Sequence, residues 1–147
     1  MKLMLTATMF AASVLFSYAG PWDVPEIRAL GMIESAERDT IIGKRGEVSR
    51  YQITPKIWKY YSKEYNVAHW GDYKYAATIA YQAYTDMRKT LTLTLRRQPT
   101  DTEMYIMYNC GYDYFAKHDF AFTRIPWKLR ERAMRYNNLV LLYKTQN

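Results

Sequence analysis

The spacing of hydrophobic positions changes several times along the chain, and each change marks a boundary. Leu3 to Phe16 is an apolar run broken only by Thr6, Thr8 and Ser13. From Pro21 to Ala36, Ile27, Leu30 and Ile33 recur at helical spacing. Asp23 is the candidate cap of that helix, and Pro25 fits an early position where a missing N–H costs nothing. From Glu37 to Arg50 the period collapses into charges, Gly43, Gly46 and short β-branched steps, the pattern of an extended loop or small hairpin. Thr54-Pro55 opens a second helix with Ile57, Trp58, Tyr61 and Tyr65 on its apolar face. Asn66 and Gly71 bracket a connection, and Asp72 caps a long helix carrying Tyr73, Ala76, Ala77, Ala80, Tyr84 and Met87. Its end is ambiguous, because Leu91 to Leu95 alternates Leu and Thr. After Pro99, Thr100 or Asp101 starts a helix through Met104, Met107 and Tyr108 toward Tyr114. Pro126 begins the last helix, with Ala133, Tyr136, Val140 and Tyr143 on one face. The expected fold is mostly α, one helical domain with a small hairpin or irregular loop insertion.

The apolar N-terminus changes the expected compartment. Met1-Lys2 gives a basic start, and Ser17-Tyr18-Ala19 places small residues where a signal peptidase cuts. Residues 1–19 therefore read as a signal peptide and 20–147 as the exported body. The run is shorter than the ~20 residues of a membrane-spanning helix; an uncleaved anchor is the alternative. The single Cys110 excludes an intramolecular disulfide framework, which for an exported chain points to a bacterial envelope, periplasmic or extracellular. A composition that is 49% hydrophobic and 24% charged is that of a folded domain rather than a disordered one. The formal charge of +7 asks for an anionic partner, and export turns that expectation from nucleic acid to the cell wall. The run from Arg124 to Arg135, with Lys128, Arg130 and Arg132 beside Trp127, is either a solvated basic face or a docking face for anionic lipid or nucleic acid. No Cys/His cluster has metal-ligand spacing, and no metal or cofactor is expected.

Three segments in order carry candidate chemistry. They are Ala29-Leu30-Gly31-Met32-Ile33-Glu34-Ser35, Gly46-Glu47-Val48-Ser49-Arg50-Tyr51-Gln52-Ile53-Thr54-Pro55, and Met107-Tyr108-Asn109-Cys110-Gly111. The set resembles the lysozyme-like superfamily, within it the soluble lytic transglycosylases and goose-type lysozymes. That family has a helix ending in a catalytic Glu followed by Ser, then Gly-x-x-Gly-Leu-Met-Gln-Ile-x-Pro-x-x-Trp, then Ala-Tyr-Asn-x-Gly. Glu34-Ser35, Gln52-Ile53, Pro55, Trp58, Tyr108-Asn109 and Gly111 stand at matching places. Ser49-Arg50-Tyr51 replaces Gly-Leu-Met, and Met107 replaces the Ala.

The resemblance implies a lysozyme-like domain acting on the glycan strands of peptidoglycan, as a monomer without a cofactor. Cleavage of the β-1,4 bond between N-acetylmuramic acid and N-acetylglucosamine needs an acid at the departing oxygen, and Glu34 is the candidate. Its place at the edge of an apolar helix face partly removes water from the carboxyl, which suits an acid. In a transglycosylase the sugar's own 6-hydroxyl then attacks, leaving a 1,6-anhydromuramoyl end. A hydrolase uses water and often a second carboxylate, for which Glu47 and Asp39 are candidates unless they are plain loop charges. Ser35 either orients the Glu34 carboxyl or caps its helix. Gln52 bonds to N-acetyl and hydroxyl groups or ties the loop to the next helix, and Ser49 and Tyr51 are further substrate-contact candidates. Tyr108 either holds Glu34 or is plain helix core, with Asn109 on the sugar or on the local backbone. Tyr51, Trp70 and Tyr112 are candidate groove aromatics, and Cys110 reads as a small buried thiol. Such enzymes open the wall for envelope-spanning machines; a non-catalytic wall-binding component is the reading from another class.

Overall fold

Prolines and short polar residues set the helix starts. The computed structural model describes residues 20–62 and 69–146; the signal-peptide expectation for 1–19, and those for Tyr65 and Asn66, lie outside them. The helices are α1 (Pro25–Ser35), α2 (Pro55–Ser62), α3 (Tyr73–Leu95), α4 (Asp101–Cys110), α5 (Tyr112–Ala116) and α6 (Trp127–Lys144). Among the described residues there are no strands, only two isolated antiparallel bridges that join Val48 to Ile42 and to Ile53. The fold is mostly α, and the segment between α1 and α2 is an irregular loop pinned through the fully buried Val48.

Pro55 starts α2, where the Thr54 hydroxyl accepts from the Ile57 N–H at 3.4 Å. Asp72 caps α3 by accepting from the amides of Lys74 and Tyr75. Thr100 caps α4 in a reciprocal box with Glu103, and such caps contribute ~1 kcal/mol each. Two expectations are corrected and one open helix end is resolved. Asp23 caps nothing, because it sits in a 3-10 turn at Pro21–Asp23 and Val24 occupies the cap position of α1. The Leu/Thr alternation from Leu91 to Leu95 is helical: the hydroxyls of Thr90 and Thr94 bond to carbonyls one turn back, so these polar residues sit within α3. The helix drawn from Asp101 toward Tyr114 is two helices, broken at Gly111 with φ 81°.

Packing is organised around α4 and α6. Helix α6 lies across α1 and α4, while α3 packs on α2 and α4. Five consecutive α4 residues, Glu103 to Met107, are buried, so this helix is covered on every side. Its one buried charge, Glu103, is held by the Arg97 guanidinium at 2.6 and 2.9 Å and by the Thr100 amide at 2.7 Å. The α6 stripe Ala133, Tyr136, Val140 and Tyr143 is buried, as the spacing predicts. Tyr136 stacks on Tyr105 of α4 with ring centroids 5.2 Å apart. At ~1.5–3 kcal/mol per large buried side chain, this interior rather than the loop holds α1, α4 and α6 together.

Candidate active site

Glu34 stands one residue before the end of α1, where the helix stops in an unusual way. Ala36 and Glu37 both have left-handed backbones, φ 52° and 61°, and their amides bond back to Met32 and Gly31. The chain thus leaves α1 sharply and crosses back over it. Gly31 permits that crossing: a Cβ there would lie 3.1 Å from the Arg50 side chain and 3.3 Å from the Tyr51 ring. Arg50 anchors the loop by a two-pronged pair with Asp39 at 2.6 and 3.0 Å, lying over the Tyr73 ring at 5.2 Å.

The Glu34 side chain is only 8% exposed and bonded at both oxygens. Oε1 accepts from the Tyr105 hydroxyl at 2.6 Å and the Asn109 amide at 3.4 Å. Oε2 accepts from Arg132 of α6 at 3.0 Å, and the same nitrogen donates to the Ile33 carbonyl at 3.1 Å. Burial, then the adjacent Glu34 charge, pushes the Tyr105 hydroxyl far above its ordinary range, so it stays a donor. The Asn109 carbonyl oxygen accepts from the Cys110 thiol at 3.4 Å, which leaves the amide side facing Glu34. Burial raises the Cys110 thiol too. Cys110 is half-buried at the site, a correction to its reading as a core thiol.

These groups open onto a cleft of about 380 Å³ lined by Glu34, Glu47, Gln52, Thr54, Tyr108 and Asn109, with Lys44, Arg45 and Arg132 as its cations. Glu34, Gln52, Tyr108 and Asn109, three separate segments of the chain, are therefore brought to one place. Glu47 lines the same cleft, its carboxylate bound by the Arg45 side chain at 2.7 Å and the Arg45 amide at 2.9 Å. Burial works to raise Glu47, but these bonds outweigh it and hold the carboxyl below its usual value. Asp39 is outside the lining and committed to Arg50.

Other expected residues have different partners or lie outside the cleft. Tyr108 does not hold Glu34: its hydroxyl donates to the Tyr51 carbonyl at 2.7 Å and fastens the loop to α4. Tyr105, one helical turn before Asn109, does that work instead. Ser35 is buried, and its hydroxyl bonds to the Gly31 carbonyl and the Arg38 amide, a helix-end role. Ser49 is buried and accepts from the Tyr51 amide. Tyr51 is 2% exposed and part of the core rather than a groove wall. Trp70 packs against the core, and Tyr112 bonds to Thr94 and leans on Phe120. Gln52 lines the cleft, while its amide donates to the Ser49 carbonyl at 3.1 Å.

Sequence reasoning missed Tyr105, Thr54 and the role of Arg132. Tyr105 and Asn109 share a face of α4 by their spacing. Arg132 stands one turn before Tyr136, beside the apolar stripe of α6, and a charge there is the signal for an inward partner. The rest of the α6 basic run stays outside the cleft: Lys128 and Arg135 are exposed, and Arg124 pairs with Asp119. No described helix is long and apolar enough to cross a membrane. No family model, curated protein or solved structure matches the chain.

Proposed function

We propose that the chain is an exported, lysozyme-like peptidoglycan lytic transglycosylase with Glu34 as its one general acid and base. The observation that carries this reading is the meeting of Glu34, Gln52 and Asn109 in one cleft, from three segments whose order and composition match the family's motifs. Backbone geometry supports it further. Gly46 has φ 82° and Ser49 φ 65°, so both glycine positions of Gly-x-x-Gly adopt the conformation that glycine takes most easily.

In this reading the glycosidic oxygen between N-acetylmuramic acid and N-acetylglucosamine takes its proton from Glu34 as the C–O bond breaks. The muramic 6-hydroxyl attacks C1 and gives its proton back to Glu34, which closes the ring as a 1,6-anhydro end. Tyr105 and Asn109 hold Oε1 through both steps. Glu47 in the same cleft favours one second reading, a hydrolytic lysozyme or chitinase-like glycosidase in which a carboxylate steers water.

Purified sacculi test the proposal. Wild-type protein is expected to release soluble muropeptides, and Glu34→Gln, folded by circular dichroism, none. Products one water lighter than reducing-end fragments identify the transglycosylase. Activity retained by Glu34→Gln refutes the assignment. Wild-type protein that sediments with sacculi and releases nothing makes the chain a wall-binding component.

A further inference from the structure

The two oxygens of Glu34 are held differently. Oε1 faces α4 and neutral donors, whereas Oε2 faces a cation, Arg132, which is itself part of the cleft wall and 40% exposed. An ion pair of this kind attracts the ionised carboxylate and does nothing for the neutral acid that glycosidic cleavage requires. The other charges in the cleft are Glu47, paired with Arg45, and Lys44, which has no partner among the described residues. Both carboxylates are therefore matched, and one cation is left over. A carboxylate brought in by the glycan has somewhere to go.

We propose that Arg132 is a positioning and specificity-determining residue. It clamps Glu34 in the unliganded protein and passes to a carboxylate carried by the incoming strand, the lactyl group of a peptide-free muramic acid or the stem peptide in sacculi. The inference rests on the glycosidase reading above. One ion pair, Arg132 with Glu34, breaks, and another, Arg132 with the glycan carboxylate, forms. Glu34 takes one proton at Oε2 from solvent and hands it to the glycosidic oxygen as the C–O bond breaks. Lys44 steadies the arriving charge. A glycan without a carboxylate lacks the means to draw Arg132 away, so Glu34 stays clamped.

The test uses one polymer with its charge present or erased: peptide-free glycan strands carrying lactyl carboxylates, and the same strands as methyl esters. The kcat/KM of wild type, Arg132→Gln and Arg132→Lys is measured on both. Wild type is expected to prefer the charged strand by up to about five-fold, the ratio that one partly exposed charge contact supplies. Arg132→Gln removes that preference and raises activity on the ester relative to wild type, because the clamp is gone. Arg132→Lys keeps most of the preference. Equal loss on both strands in Arg132→Gln, with no change of ratio, shows a merely structural residue and overturns the inference. Wild type that cleaves both strands equally overturns it while leaving the glycosidase reading intact, an outcome that needs no variant to fold. Wild type inactive on both strands removes both.

Discussion

Replacing Tyr105 by Phe removes one oxygen from the centre of the molecule. The ring is fully buried and stacked on Tyr136 at 5.2 Å, so Phe keeps the packing and the perturbation reduces to the hydroxyl. That hydroxyl makes a 2.6 Å bond to a carboxylate that is itself 8% exposed. Hydrogen bonds to charged groups contribute about 1.5–3 kcal/mol, more than neutral ones. After its loss, Oε1 keeps only the 3.4 Å contact with Asn109, which is too long to replace it. Because the tyrosine hydroxyl is held protonated, its own titration does not enter at neutral pH. Tyr105→Phe is therefore expected to lower stability by about 2 kcal/mol, read as a shift of the urea midpoint with an unchanged slope. In a Glu34→Ala background the same substitution is expected to cost about 0.5 kcal/mol or less, since the acceptor is gone. Equal costs in the two backgrounds refute the reasoning and show that the hydroxyl stabilises something other than Glu34.

Two further outcomes follow from the loop and from α4. A Cβ at Gly43 would lie 2.5 Å from the terminal oxygens of both Glu47 and Gln52, flexible ends that can swing aside, so Gly43→Ala is expected to displace both groups from the cleft at a cost of about 1 kcal/mol or less; a crystal structure of the variant with both side chains unmoved counts against this packing. Burial works to raise Glu103, but Arg97 and Thr100 outweigh it and hold the carboxyl below its usual value. Its stabilising contribution is thus complete above the unfolded carboxyl range near 4.3 and is lost as pH falls through the lower native value. Glu103→Gln should flatten the acid limb of a stability–pH profile; an unchanged limb assigns acid sensitivity elsewhere.

Much of the helical scaffold was legible because its signals are local. Thr54, Asp72 and Thr100 mark helix starts through bonds to neighbouring amides, and the α6 stripe is a matter of spacing. Helix ends were read less well, since α3 continues through a Leu/Thr alternation that threonine back-bonding makes compatible with helix. At the site, Glu34, Gln52, Tyr108 and Asn109 were found as residues of motifs, but the division of labour between Tyr105 and Tyr108 was not. These two tyrosines are three positions apart on one helix, and which reaches Glu34 depends on how α1 crosses α4. Arg132 was hidden for the same reason: nothing within its own helix states that α1 ends beside it.

The enclosure of α4 has a consequence for how the molecule opens. A helix touched by neighbours on every side cannot detach without α3 and α6 moving too. The amides around Tyr105 should therefore exchange with solvent only through global unfolding, while those of the loop from 38 to 54 exchange through smaller openings. Half of the cleft is thus as durable as the protein itself and the other half is renewable on a faster clock. On the proposed function, a glycan strand would meet a fixed wall holding Tyr108 and Asn109, and a yielding one holding Lys44, Arg45 and Gln52.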